Sequence, residues 1–182
     1  MLRPHSLADL EDCVRLDREP GTLDFIDWPG KTGSWLDDDA HRTHIRTRTL
    51  FPYPPGLGYW VVATRAAPDA FLGWVLLIPE DTAGPEIEIG WRLLRAARGR
   101  GYATEAAQAL LQHGFATLGL ARVAETQRAN TALNRIAQKL GFREHDDPRR
   151  TNADDVLWIL DRAHRRLPGD ARFPLAAARP IS

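Results

Sequence analysis

Apolar and polar positions follow two different periods along this chain, and the switches between them divide it into elements. After Ser6, the apolar residues Leu7, Leu10, Val14 and Leu16 stand near helical spacing, which predicts a helix from about residue 7 to 19 with Ser6 as its cap. Two prolines and three glycines punctuate the next stretch, PGTLDFIDWPGKTGS, which therefore reads as a loop. Ser34 followed by Asp37 matches a capping box, and Asp38 and Asp39 fall in the first turn of a helix expected to run to about residue 49. FPYPPGLG breaks the chain again. The extended runs YWVVATR and FLGWVLLIP, separated by AAPDA, then predict an antiparallel hairpin. In EIEIGWRLL the alternation is strict: Glu86, Glu88 and Gly90 share one face of a strand, and Ile87, Ile89, Trp91 and Leu93 share the other.

The period returns to helical where Ala103, Ala106, Ala107, Leu110, Leu111, Phe115 and Leu118 recur, up to a stop at Gly119. ARVAETQR reads as a short strand, NTALNRIAQKLGF as a helix ending at Gly141, REHDDPRRTNAD as a polar connection and DVLWILD as a last strand. Strand, helix, strand, helix, strand is the alternation of an α/β domain, with parallel strands joined by helical crossovers. From about residue 164 the periodicity lapses and Pro and Arg accumulate, so residues 1–163 are expected to form one domain and residues 164–182 a mobile tail.

Composition narrows the class. A chain of 182 residues suits one domain with a full core. Lys plus Arg and Asp plus Glu both number 24, so no net field draws it to nucleic acid or to a membrane surface, and a small partner is expected. Cys13 is the only cysteine, which argues against a disulfide framework and fits a reducing compartment, the cytoplasm. No apolar run approaches the roughly 20 residues that span a bilayer, and no signal peptide is legible.

The chemistry concentrates in RAARGRGYATEAAQALL, residues 95–111. Where a strand turns into a helix, the first amide N–H groups have no partner inside the helix and the macrodipole adds about half a positive charge, so an anion fits that end. Gly99 and Gly101 permit backbone torsions and close approach, and Arg98 and Arg100 add charge suited to a phosphate. On spacing alone, a solvated glycine-rich turn fits equally well. RGRGYA has neither the Lys-Ser/Thr of a P-loop nor the full G-x-G-x-x-G of a dinucleotide site.

The segment EIGWRLLRAARGRGYATEAAQALLQHGFATLGLARVAETQRANTALNRIAQKLGFRE resembles the core of the GNAT acyltransferase superfamily, in particular its branch of ribosomal-protein-alanine N-acetyltransferases. The family's signature is Arg or Gln, two variable residues, Gly, one variable residue, then Gly or Ala, and Arg98, Gly101 and Ala103 satisfy it. The resemblance implies a single domain with a mixed, centrally splayed sheet and helices on both faces. It implies acetyl-CoA as the acyl donor, its pyrophosphate on the backbone N–H groups of the 98–104 loop (Arg98, Gly99, Arg100, Gly101, Ala103, Thr104). Trp91 and Leu93 would line the opening between the splayed strands, and Asn130 would contact the cofactor arm. Relatives often carry Ser where this chain has Leu133, and more distant ones Tyr where it has Ala137, so the usual proton donors to the departing thiolate are replaced here.

The activity implied is acetyl transfer to a primary amine, either a protein N-terminus or a small molecule, with an aminoglycoside, a polyamine or a non-catalytic acyl-CoA-binding module as alternatives. A monomer or a homodimer would serve. Glu88 is the candidate base, because relatives often carry an acid just before the Ile-Gly-aromatic segment, and Glu86 on the same face is the reserve. His41 and His44 stand three apart, but no third ligand follows at metal spacing, so they are expected to be solvated and no metal is expected. His113, alone on a helix, is expected to be a surface or packing residue rather than a base. Trp28, Trp35, Trp60 and Trp74 are candidates for an aromatic acceptor pocket or for core. Asp24, Asp27 and Asp37 to Asp39 are candidates to attract a cationic amine, although capping explains the triplet equally.

Overall fold

The computed structural model describes residues 1–22, 39–80, 86–128, 131–146 and 155–164. Its framework is a seven-stranded sheet made of β1 (Leu2–Pro4), β2 (Gly58–Val62), β3 (Gly73–Pro79), β4 (Ile87–Leu93), β5 (Arg122–Arg128), β6 (Arg143–His145) and β7 (Asp155–Asp161). The strand order is β1-β2-β3-β4-β5-β7-β6. The accompanying helices are α1 (Leu10–Asp17), α2 (Asp39–Leu50), α3 (Tyr102–Gln112) and α4 (Thr131–Leu140).

The expected hairpin is β2 with β3, antiparallel from Gly58 opposite Leu77 to Val62 opposite Gly73, and β4 continues antiparallel to β3. Parallel pairing, expected for the second half, holds only for β4 with β5. The crossover through α4 delivers the chain to β6. A β6–β7 connection then turns back, so that β7 enters between β5 and β6 and runs antiparallel to both. Strand β6 lies inside what reads as a polar connection because its three residues, Arg143, Glu144 and His145, are all exposed and show no apolar period. Strand β1 is equally short, and pairing with β2 defines it.

Alternation along the strands creates two cores, one on each face of the sheet. On one side Trp60, Val62, Val75, Leu77, Ile87, Ile89 and Leu93 pack under α3 and α4 through Ala106, Ala107, Leu110, Leu111, Ala137 and Leu140. On the other, Val61, Phe71, Trp74 and Leu76 pack against Cys13, Val14 and Leu16 of α1 and Ile45 of α2. The face of β4 opposite its apolar side is therefore covered by helices too. Burying a side chain such as Leu16 or Ile45, both 0% exposed, stabilises by about 1.5–3 kcal/mol each.

The helix ends refine the expectations. The first helix opens as a 3-10 turn at Leu7–Asp9 and continues as α1 only to Asp17. Ser6 is the N-cap, as expected, and Asp9 at N3 is the reciprocal arm of a capping box, its carboxylate accepting bonds from Ser6 N at 2.9 Å and Ser6 Oγ at 3.2 Å. Helix α2 begins at Asp39, in the first turn as expected, while Ser34, Asp37 and Asp38 lie outside the described residues. Helix α3 ends at Gln112 and loosens into a wider π turn over His113–Thr117. Gly141 closes α4 as expected: its N–H reaches Gln138 O, and the N–H of Phe142 reaches Ala137 O, both at 3.0 Å. Most of the expected tail, residues 165–182, lies outside the described residues.

Candidate active site

The loop between β4 and α3 has the form an anion site needs. A 3-10 turn at Arg95–Ala97 leads to Arg98 in extended conformation, then to Gly99 at φ 71° and Gly101 at φ 83°. Left-handed torsions of this kind strongly favour glycine. Among the described residues no side chain caps α3, whose first helical bond is Glu105 N to Gly101 O at 3.0 Å. The N–H groups of Tyr102, Ala103 and Thr104 are thus left outside the helical ladder. Among the described residues, a Cβ built on Gly99 or Gly101 would meet nothing within 4 Å. Ala103 is buried and Thr104 is half-buried.

The two arginines part company. Arg100 is exposed and lies over the Tyr102 ring, 5.4 Å from its centroid. Arg98, also exposed, folds back along the loop, where Nε donates to Leu93 O at 2.8 Å and Nη2 to Thr22 Oγ1 at 3.1 Å. Asn130 lies outside the described residues.

Strands β4 and β5 meet in register at one point, Glu88 opposite Ala124. Both continue past it, β4 to Leu93 and β5 to Arg128, without further registered pairs. Beyond that pair no ladder joins them among the described residues, and the C-terminal end of β4 leads into the glycine loop. Ligands of open α/β sheets sit at such carboxyl ends. Leu93 is buried there, and Trp91 is half-buried with its indole Nε1 enclosed and unpartnered among the described residues. Asn134 Oδ1, on α4, is enclosed and unpartnered in the same way. Ala137 is fully buried, so its position on α4 points into the core.

The opposite face of β4 carries Glu88, Gly90 and Arg92 toward the α1 and α2 layer, where a polar cluster is set among aromatic rings. Asp17 accepts His41 Nε2 at 2.9 Å and a short bond from Arg92 Nη1. Burial opposes ionisation of Asp17, but the His41 bond and the Arg92 and Arg48 charges outweigh it and hold the carboxyl below the usual range. Arg92 packs on Trp74 at 4.9 Å, and Arg48 lies 5.4 Å from the Tyr59 ring and 5.3 Å from that of Trp74. Tyr59 meets Trp74 edge-on at 5.4 Å and Tyr53 at 6.0 Å. Burial raises the pKa of both tyrosines, and the Glu88 charge adds to each shift, which sets that carboxylate within electrostatic reach of the two hydroxyls.

Several expectations change here. His41 and His44 are not solvated: His41 is 1% exposed on Asp17, and burial, helped by Arg48, lowers the pKa of half-buried His44 to about 4. Helical spacing shows that they share a face but not that the face packs inward. Glu86 precedes β4, and its carbonyl accepts Glu80 N at 2.9 Å, so Glu88 alone of the pair sits within the strand. Trp60 and Trp74 are core, and His113 packs on Trp60 and bonds Gly56 O at 2.9 Å. Trp28, Trp35, Asp24 and Asp27 lie outside the described residues. Among the described residues no group of three or more His, Cys, Asp or Glu side chains is disposed to hold a metal, and no helix is long and apolar enough to cross a membrane. Asp17, Arg48 and Arg92 are the residues that sequence reasoning passes over. Alternation gives the face of Arg92, but its partner lies 75 positions away.

Known proteins resemble this chain in sequence and in fold. The acetyltransferase (GNAT) domain family matches residues 1–143. The chain is 29% identical over 153 residues to the FsC-acetyl coenzyme A-N(2)-transacetylase of Aspergillus fumigatus, covering 76% of this chain and 63% of that protein. It spans 63, 34 and 60% of the lengths of three curated relatives. Among solved structures it resembles an acetyltransferase of the GNAT family from Bacillus anthracis, with TM-score 0.67 and 19% identity over 88% of this chain and 93% of that one. It also resembles Mycobacterium smegmatis RimJ in complex with CoA-disulfide, with TM-score 0.68 and 21% identity over 89% and 81%. With the glycine loop at the N-terminus of α3 and the single registered pair between β4 and β5 beside it, the family match over residues 1–143 makes this chain a member of the GNAT acetyltransferase family.

Proposed function

We propose that this protein transfers the acetyl group of acetyl-CoA to a primary amine, either a protein N-terminus, as in the ribosomal-protein-alanine branch, or a small-molecule amine. The observation that carries the reading is the single registered pair between β4 and β5, with an uncapped helix N-terminus beyond the C-terminal end of β4. Residues Gly99 to Thr104 would receive the pyrophosphate on backbone N–H groups, with Arg100 adding charge at the rim. Among the described residues, Trp91 Nε1–H and Asn134 Oδ1 are an enclosed donor and acceptor without partners, and the amide groups of a pantetheine arm are of the kind that would satisfy them.

Acetyl-CoA supplies a thioester carbonyl, at which the new N–C bond forms as the C–S bond breaks. The amine must first be neutral. Glu88, at the registered pair of β4 and β5 and on the face toward α1 and α2, is the proposed base, taking that proton through water. The N–H groups near Gly90 and Trp91 would donate to the carbonyl oxygen as it gains charge. No hydroxyl is assigned to the departing thiolate. Tyr53 and Tyr59 share the neighbourhood of Glu88, and burial favours their protonated, donating forms.

Thiol release from acetyl-CoA, measured against peptides, polyamines, aminoglycosides and amino acids, tests this reading. Turnover with at least one amine and retention of CoA on calorimetry are expected. CoA binding without turnover on any amine would instead favour a non-catalytic acyl-CoA-binding module, the reading that the replaced hydroxyls at Leu133 and Ala137 leave open.

A further inference from the structure

The residues just after α1 form a brace on the acyl-donor loop. Glu19, Pro20, Gly21 and Thr22 make a tight turn: proline fixes the second position, Gly21 takes φ 77° at the third, and Thr22 N donates to Glu19 O at 3.2 Å, as in a type II turn. The turn is itself tied to α1 through Glu19 N on Leu16 O at 3.2 Å. Its first and fourth residues lie side by side, and both side chains reach the loop. Glu19 Oε2 accepts Arg95 N at 2.6 Å. Thr22 Oγ1 accepts Arg98 Nη2 at 3.1 Å, and that nitrogen lies 3.6 Å from Glu19 Oε2.

Arg95 N opens the 3-10 turn that leads to Gly99, and Leu94, the residue before it, offers no capping side chain. Glu19 therefore caps that turn from a distance of 76 positions in sequence. Arg98 joins the brace to the end of β4 through Leu93 O. Charge argues against a simple electrostatic role for this carboxylate, since a negative group beside an anion site opposes the anion. Whatever Glu19 contributes to the site must come through geometry.

We infer that Glu19 is a positioning residue for the acyl donor: with Thr22 it holds the Arg95–Arg98 segment so that the glycine loop is formed before CoA arrives. This rests on the loop assignment proposed above. The two roles of the carboxylate separate cleanly by substitution. Glu19→Gln keeps an oxygen for Arg95 N and removes the opposing charge, whereas Glu19→Ala removes both.

Calorimetry of CoA binding to the wild type, Glu19→Ala, Glu19→Gln and Thr22→Val, with an unfolding midpoint for each, tests the inference. Glu19→Ala is expected to bind CoA about tenfold more weakly, the loss of roughly one backbone cap. Its KM for acetyl-CoA should rise in parallel while kcat at saturation stays within about twofold. Glu19→Gln should bind at least as tightly as the wild type. Wild-type affinity in Glu19→Ala, or equal losses in the Ala and Gln variants, overturns the inference. Should Glu19→Ala fail to fold, Thr22→Val decides, with an expected loss of about threefold and unchanged affinity as the contrary result. A wild type that does not bind CoA is a different failure, that of the loop assignment itself.

Discussion

Asp17 of α1 and Arg92 of β4 form an ion pair enclosed between the sheet and its helical cover, with side chains 4% and 14% exposed. His41 of α2 joins the same carboxylate, so one acid ties both helices of this layer to the strand that carries Glu88. Removing one partner leaves a charge buried without compensation. Asp17→Asn should therefore lower stability by about 3–5 kcal/mol, read by denaturant unfolding. Replacing Asp17 and Arg92 together by apolar residues should recover part of that loss, and a double variant no more stable than Asp17→Asn would count against the pair as the cause.

Acid should unfold the protein in two stages. Burial lowers the pKa of His5 and of His44 to about 4, with the Arg48 charge adding to both. For these histidines the unfolded chain binds protons first. Stability is full above the unfolded value near 6.5 and falls as pH drops from there toward about 4. Asp17 also has a depressed folded value, but its contribution is full above about 3.9 and is lost only below that. Thermal midpoints from pH 8 to 3 should thus decline through the histidine window first. In His44→Gln the decline between about pH 6.5 and 4 should be shallower, and an unaltered slope would remove His44 from this role.

Gly101 and Gly119 offer a controlled comparison. Both have positive φ, 83° and 69°, and among the described residues a Cβ on either would meet nothing within 4 Å. An alanine at either position should cost about 1–2 kcal/mol of backbone strain. Only Gly101 lies at the N-terminus of α3, so only Gly101→Ala should weaken CoA, by about tenfold or more, while Gly119→Ala binds normally. Equal CoA affinity in the two variants would detach the loop from the donor site.

Glu88→Gln should retain CoA but lose about 10²-fold or more in turnover, with the acidic limb of the pH profile displaced. Glu86→Gln, altering a residue outside the strand, should lose much less. Full turnover of Glu88→Gln from pH 6 to 9 on an established acceptor would pass the role to Glu86 or to bulk water.

What the sequence by itself determined is local: the amphipathic faces of α1 and α3, the β2–β3 hairpin, the alternation of β4, the glycine stop of α4, and the family resemblance of residues 86–144. Each depends on periods of 2 or 3.6 residues, or on backbone torsions within a few positions, which neighbouring residues specify among themselves. The tertiary structure decided what depends on distant pairing. It inserted β7 antiparallel between β5 and β6, because a short exposed strand with no apolar period carries no pairing signal in its composition. It paired Arg98 with Thr22 across the surface and buried His41 on Asp17, contacts whose partners lie 76 and 24 positions away. A charged side chain on a helix or loop reads as solvated in sequence, since burial becomes tolerable only when the fold supplies a partner, and that partner is chosen by packing rather than by spacing.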